Sequence, residues 1–217
     1  MIERILPDGV VAVEVFDDPQ GVVLFPEEEA VIAHAVDKRR REFTAGRHCA
    51  RAALAKVGFA PAPLPPGQNG SPDWPAGVVG SITHCAGYRA AAVSVDMLSV
   101  GIDAEPHGPL PDGVLESISL PQEREMLAVL KAGRHWDRLL FSAKESVYKA
   151  WFPLARRWLG FEEALIRIDP DGGFSASLLV PGPTVNGTPL TGFRGRWIAA
   201  DGLVVTSVTV PPSSSPG

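Results

Sequence analysis

The sequence predicts an α+β fold. Segments with apolar residues at period two gather in the middle and towards the end of the chain, two long stretches keep helical spacing, and runs rich in proline and glycine divide them. Strands are expected at about 10–16, 79–84, 89–95 and 98–105, and helices at about 27–57 and 119–151. Within the second helix, Leu139, Leu140, Ala143, Val147, Ala150 and Trp151 recur at helical spacing and Pro153 closes the run. Residues 60–78 are dense in Pro and Gly and read as loop. Turns at Cys85-Ala86-Gly87-Tyr88 and Asp96-Met97 make the central strands a meander ending at the strand around 98–105. A second set of strands is expected at about 163–169, 174–180, 192–199 and 203–210, with a frayed tail over 211–217. No internal sequence repeat is visible.

The chain of 217 residues can bury one sizeable core or two small fused units. Its formal net charge of −5 argues against a nucleic-acid binder, which needs concentrated basic surface. No apolar run reaches membrane-spanning length, and the first residues lack the basic-then-apolar layout of a signal peptide. Cys49 and Cys85 lie far apart without metal spacing, so both are expected as reduced thiols and the expected location is the cytoplasm.

Two short segments carry the chemistry. In Val100-Gly101-Ile102-Asp103-Ala104-Glu105 the alternation puts Asp103 and Glu105 on one face of a strand, where paired carboxylates suit Mg²⁺ completed by phosphate oxygens. Read alone, the same pair also fits a solvated strand end. In Phe141-Ser142-Ala143-Lys144-Glu145-Ser146-Val147-Tyr148-Lys149, Glu145 and Lys149 are helical neighbours, a pattern that also fits an exposed salt bridge. Phe141, Tyr148, Trp151 and Phe152 crowd those charges, which favours a phosphorylated ligand with an apolar arm.

Together these segments resemble the paired signatures of the 4′-phosphopantetheinyl transferases. Gly80-Ser81-Ile82-Thr83-His84-Cys85-Ala86-Gly87-Tyr88 and the basic run Lys38–Arg51 are similar to the monomeric, broad-specificity branch typified by the surfactin and enterobactin synthetase activators. The stretch from Trp151 to Glu162 is similar to actinobacterial members. The resemblance implies two similar α+β halves related by a pseudo-twofold axis, divided here as 1–106 and 107–210, with coenzyme A in the cleft between them. It implies transfer of the 4′-phosphopantetheine arm of coenzyme A to a serine of apo acyl, polyketide-synthase or peptidyl carrier proteins, releasing adenosine 3′,5′-bisphosphate.

Carried over by position, Asp103, Glu105 and Glu145 hold Mg²⁺, with Mn²⁺ as the alternative ion. Glu145 also accepts the serine proton, directly or through a metal-bound water. Lys144 and Lys149 contact the phosphates and stabilise the leaving group. Ser81, Thr83 and His84 reach the phosphates, Arg39 and Arg47 the 3′-phosphate, and Phe141, Tyr148 and Trp158 wall the pantetheine arm. For His84 and for each aromatic a purely structural role stays open. Many relatives carry lysine in the loop that here reads Pro65-Pro66-Gly67-Gln68-Asn69-Gly70, so a weaker or more salt-sensitive grip on the nucleotide is expected. Lys131, Arg134, Arg138, Arg156 and Arg157 are candidates for a carrier-facing basic patch. Two other readings remain: a different Mg²⁺-dependent phosphotransferase, although no P-loop or kinase glycine loop is present, and a non-catalytic binder of coenzyme A or carrier protein.

Overall fold

The computed structural model describes residues 1–67, 70–185 and 187–212, so residues 213–217 of the expected tail lie outside it. After a 3-10 turn at Ile2–Ile5 come β1 (Val11–Val15), the short helix α1 (Pro26–Val31), the long helix α2 (Asp37–Lys56), β2 (Val79–Cys85), β3 (Tyr88–Ser94) and β4 (Ser99–Pro106). There follow α3 (Val114–Ile118), α4 (Pro121–Val129), the long helix α5 (Trp136–Ala155), β5 (Ala164–Asp169) and β6 (Gly173–Leu178). A two-residue-strand hairpin, β7 (Thr184–Val185) with β8 (Thr188–Pro189), precedes β9 (Gly192–Ala200) and β10 (Leu203–Val210).

The helix expected over 27–57 divides into α1 and α2, because Val36 is extended and caps the second helix. That expected over 119–151 divides too, with Gly133 at φ 104 in the break before α5. Pro153 does not close α5. Its missing N–H falls in the last turn, and the helix runs on to a left-handed cap at Arg156, whose N–H bonds to Phe152 O at 2.9 Å.

The central meander is also corrected. β1, β3 and β2 form an antiparallel sheet in that spatial order, so β3 is paired on both sides and offers β4 no edge. β4 instead opens a five-stranded sheet in the order β4-β10-β9-β6-β5, its ladder with β10 running from Ser99↔Val210 to Pro106↔Leu203. Between the sheets, two hydroxyls of β2 replace a ladder: Ser81 Oγ accepts the N–H of Ile102 at 3.1 Å and Thr83 Oγ1 that of Ala104 at 3.0 Å.

Each long helix covers one sheet. Cys49, Ala50, Ala53 and Leu54 of α2 pack with Ala91 and Val93 of β3. Leu139, Leu140, Ala143, Val147, Ala150 and Trp151 of α5 pack with Ile166, Phe174, Val204 and Val208.

A matching pair of buried glutamates ties the short helices down. Glu28 and Glu123 are both fully buried at the third helical position, each after an N1 proline. Each takes the N–H of its own N-cap, from Phe25 at 3.0 Å and Leu120 at 2.7 Å. Each takes a second N–H from a distant segment, Leu64 at 2.9 Å and Ile166 at 2.7 Å, and each meets a cation on the long helix, Arg51 at 2.7 Å and Lys144 at 3.0 Å. Sequence comparison within the chain does not reveal this parallel, because only Pro-x-Glu is shared between Phe25-Pro26-Glu27-Glu28 and Leu120-Pro121-Gln122-Glu123.

Candidate active site

The acidic strand and the Lys-Glu helix meet because Gly101 has no side chain. A Cβ there would stand 2.1 Å from Ser146 O and 2.6 Å from Ala150 N, so α5 lies directly on the backbone of β4. Lys149 Nζ consequently donates to Asp103 Oδ1 at 2.8 Å and to Ile102 O at 3.0 Å. One ammonium hydrogen is left for a third acceptor. Glu105 Oε2 accepts from Arg138 at 2.9 Å.

Burial, and next the charge of Asp103, push both the Glu105 and Glu145 carboxyls above their usual range. Asp103 Oδ2 is buried without a hydrogen-bond partner. Among the described residues no three histidine, cysteine or carboxylate side chains converge tightly enough to hold a metal as they stand; Asp103 pairs with Lys149 and Glu105 with Arg138. The donor set nonetheless fits a hard cation: all three side chains offer only oxygen, one oxygen is orphaned, and their mutual repulsion is what such an ion relieves.

A cavity of about 420 Å³ opens beside this cluster. Glu145, Tyr148 and Lys149 of α5 line it, with Arg39, Glu42, Phe43 and Arg47 of α2 and Ser81 and His84 of β2. Arg47 is buried, stacks 4.2 Å over Phe43 and donates Nε to Leu64 O at 2.7 Å; burial lowers its pKa to about 10. Arg39 Nη1 lies 3.3 Å from His84 Nε2. Because a guanidinium only donates, Nε2 accepts and the His84 proton sits on Nδ1, facing Glu42 at 3.7 Å. Burial lowers the pKa of His84, against the opposing pull of Glu42.

Other expected residues are placed differently. Ser81 and Thr83 spend their hydroxyls on the β2–β4 seam; Ser81 still reaches the cavity wall, while Thr83 also donates to Asp103 Oδ1 at 3.4 Å. Lys144 lines the smaller cavity described below, but its ammonium is already engaged. Its ammonium donates to Phe161 O at 2.5 Å and Ala164 O at 3.0 Å and pairs with buried Glu123, which uses all three hydrogens beneath the helix. Burial lowers its pKa, with Glu123 opposing.

Tyr148 and Trp158, with ring centroids 4.8 Å apart, line a smaller cavity of about 60 Å³ that shares Glu145 with the first. Phe141 packs against Phe161 instead and lines neither. Pro66, Gly70, Ser71 and Pro72 close the large cavity; Gln68 and Asn69 of the expected lysine-poor loop lie outside the described residues. In the expected basic patch, Arg138 is held by Glu105, Arg157 stacks on Trp151 and donates to Pro181 O, and Arg134 lies over Trp136 and Trp197. Glu42 escaped the sequence reading, and Arg138, expected in a carrier-facing patch, instead meets Glu105. Glu42 follows Arg39 within the basic run, and Arg138 lies three residues before Phe141, which opens the Lys-Glu segment.

The profile of the 4′-phosphopantetheinyl transferase N-terminal domain matches residues 27–94, and that of the 4′-phosphopantetheinyl transferase superfamily matches residues 99–192. The chain is 58% identical over 220 residues to the 4′-phosphopantetheinyl transferase Svp of Streptomyces mobaraensis, covering 97% of this chain and 89% of that one. It is 53% identical to Npt of Nocardia iowensis, over 96% of this chain and 99% of that one. It is 50% identical to PptT of Mycobacterium tuberculosis, over 97% and 98% respectively; both bear the same enzyme name. The acidic strand, the Lys-Glu helix and the cationic cavity thus belong to a chain that is a member of the 4′-phosphopantetheinyl transferase superfamily.

Proposed function

We propose that this protein transfers the 4′-phosphopantetheine arm of coenzyme A to a serine hydroxyl of an apo carrier protein, releasing adenosine 3′,5′-bisphosphate. The observation that carries the reading is the single cavity shared by Glu145 and Lys149 on one wall and Arg39, Arg47 and His84 on the other. A carboxylate thereby faces the same space as four groups suited to phosphate.

Arg39 and Arg47 receive the 3′-phosphate, and Lys149 and His84 the pyrophosphate. Tyr148 and Trp158 flank the pantetheine arm, which leads into the smaller cavity. Glu145, whose carboxyl is held above its usual range by burial and the charge of Asp103, takes the proton as the serine oxygen attacks the phosphorus nearest the pantetheine. The bond from that phosphorus to the bridging oxygen breaks, its electron pair leaves with the adenosine bisphosphate, and the remaining hydrogen of Lys149 meets the growing charge. Asp103, Glu105 and Glu145 would hold Mg²⁺, which when bound supplies charge neutralisation at the pyrophosphate.

The reading includes two halves, 1–106 and 107–210, supported by the matched Glu28 and Glu123 anchors and by separate profile matches on either side of residues 95–98. Membership of β4 in the second sheet favours drawing that division before Ser99. It also includes a monomer acting in the cytoplasm on acyl, polyketide-synthase and peptidyl carriers. Among the described residues no helix is long and apolar enough to cross a membrane.

The test is incubation with apo carrier protein, coenzyme A and Mg²⁺, followed by mass spectrometry of the carrier. One phosphopantetheine added on the carrier serine is expected. No added mass across all three carrier classes would leave a binder of coenzyme A rather than an enzyme.

A further inference from the structure

The first turn of α5 reaches back over the segment that follows the acidic strand. Arg138 uses all three guanidinium nitrogens there: Nη1 donates to Glu105 Oε2 at 2.9 Å, Nε to Gly108 O at 3.2 Å and Nη2 to Pro109 O at 2.6 Å. Its neighbours grip the same segment. Asp137 Oδ2 accepts the N–H of Leu110 at 2.7 Å, and the N–H of His135 donates to His107 Nε2 at 3.3 Å.

We propose that Arg138 is a positioning residue for Glu105: by binding one carboxylate oxygen and two loop carbonyls at once, it fixes the rotamer that presents Glu105 to the cation site. The inference rests on the metal reading given above. A planar fork engaged at each of its three nitrogens leaves the Glu105 head little freedom, because the loop carbonyls fix the plane of the guanidinium. Arg138 and Glu105 are each mostly buried, at 17% and 20% side-chain exposure, so the pair is shielded from the screening that weakens surface ion pairs. Partners that orient ligating carboxylates are worth about 10- to 100-fold in metal affinity.

Removing the charge would confuse the test, since a lost cation also lowers repulsion towards Mg²⁺. Arg138→Lys keeps the charge but offers a single compact ammonium, which cannot hold the carboxylate and both carbonyls together. Asp137→Ala loosens the same segment without touching Glu105.

The experiment is Mg²⁺ titration by isothermal calorimetry of the full chain saturated with coenzyme A, without carrier protein. R138K is expected to bind Mg²⁺ about tenfold more weakly than wild type. D137A is expected to bind it within about twofold of wild type, while melting at lower temperature. In the Glu105→Gln background, adding R138K is expected to change Mg²⁺ affinity no further, because Arg138 acts through that carboxylate. Wild-type affinity in R138K, a loss in D137A equal to that in R138K, or additivity of R138K with E105Q would each overturn the role. Failure of the wild type itself to bind Mg²⁺ would instead bring down the metal reading on which it rests.

Discussion

Gly101 and Ser146 touch backbone to side-chain position: a methyl on Gly101 would lie 2.1 Å from the Ser146 carbonyl oxygen. Neither the strand nor the helix can yield, because β4 is laddered to β10 and Ser146 sits in the middle of α5. Gly101→Ala is therefore expected to cost about 3 kcal/mol, measured by urea unfolding. A cost under about 1 kcal/mol would mean that the close contact is not what seats the helix.

Lys149 donates to Asp103 and lines the cavity, the position that the proposed transfer needs for a contact with both the acids and the phosphates. Lys149→Met is expected to lower kcat/KM for coenzyme A by about 10- to 100-fold, the worth of a charge-assisted contact. Steady-state kinetics with an apo carrier checks it.

Lys144 is expected to behave differently despite standing five residues away. Its pairing with fully buried Glu123 makes Glu123→Leu destabilising by about 3–5 kcal/mol, since a buried cation is left uncompensated. Replacing both, as Glu123→Leu with Lys144→Met, is expected to recover most of that loss in the same unfolding assay.

These contrasts show what was legible in the sequence. The acidic strand and the helix bearing Glu145 and Lys149 were readable because period two and helical spacing are local properties. The surroundings of Lys144 were not legible for the opposite reason: that its ammonium meets a buried glutamate while its side chain also lines the smaller cavity depends on α4 and β5, which spacing along α5 does not report. The meander failed likewise. A short turn at Asp96-Met97 predicts an adjacent strand, but β3 had both edges taken, and only long-range pairing with β10 settles where β4 goes. Ser81 and Thr83 were expected at the phosphates from the family resemblance; their hydroxyls also accept backbone N–H groups of β4 that face away from β10, and Ser81 still lines the large cavity.

Metal binding should depend on acidity. Glu105 and Glu145 have raised folded-state pKa values, so they take up protons at higher pH than free carboxyls, and those protons compete with Mg²⁺. The rise in melting temperature on adding Mg²⁺ is expected to be largest at pH 7.5 and to shrink as pH falls towards 5. Thermal scans across that range read it directly, and an equal rise at every pH would contradict the carboxylate assignment.

Both thiols should be unreactive. Burial raises the Cys49 pKa to about 11, and burial followed by the charges of Glu105 and Asp103 raises that of Cys85 to about 12. The folded protein is expected to react slowly with a disulfide reagent at pH 8, and the urea-unfolded chain at once. Because the folded values lie above the unfolded ones, the thiols' contribution to stability is fully present below the ordinary thiol pKa. It is lost as pH rises from there towards 11 and 12.

The pairing of β4 with β10 also sets an order of assembly. During synthesis β4 emerges roughly a hundred residues ahead of its ladder partner, and until that partner arrives its backbone meets two hydroxyls of β2 and, once α5 is made, the Lys149 ammonium, but no ladder on the β10 side. The strand carrying Asp103 and Glu105 is thus among the last parts of the molecule to be locked. A nascent chain can fold its first sheet while the acidic strand still waits, and phosphoryl chemistry becomes possible only once nearly all of the described chain has been made.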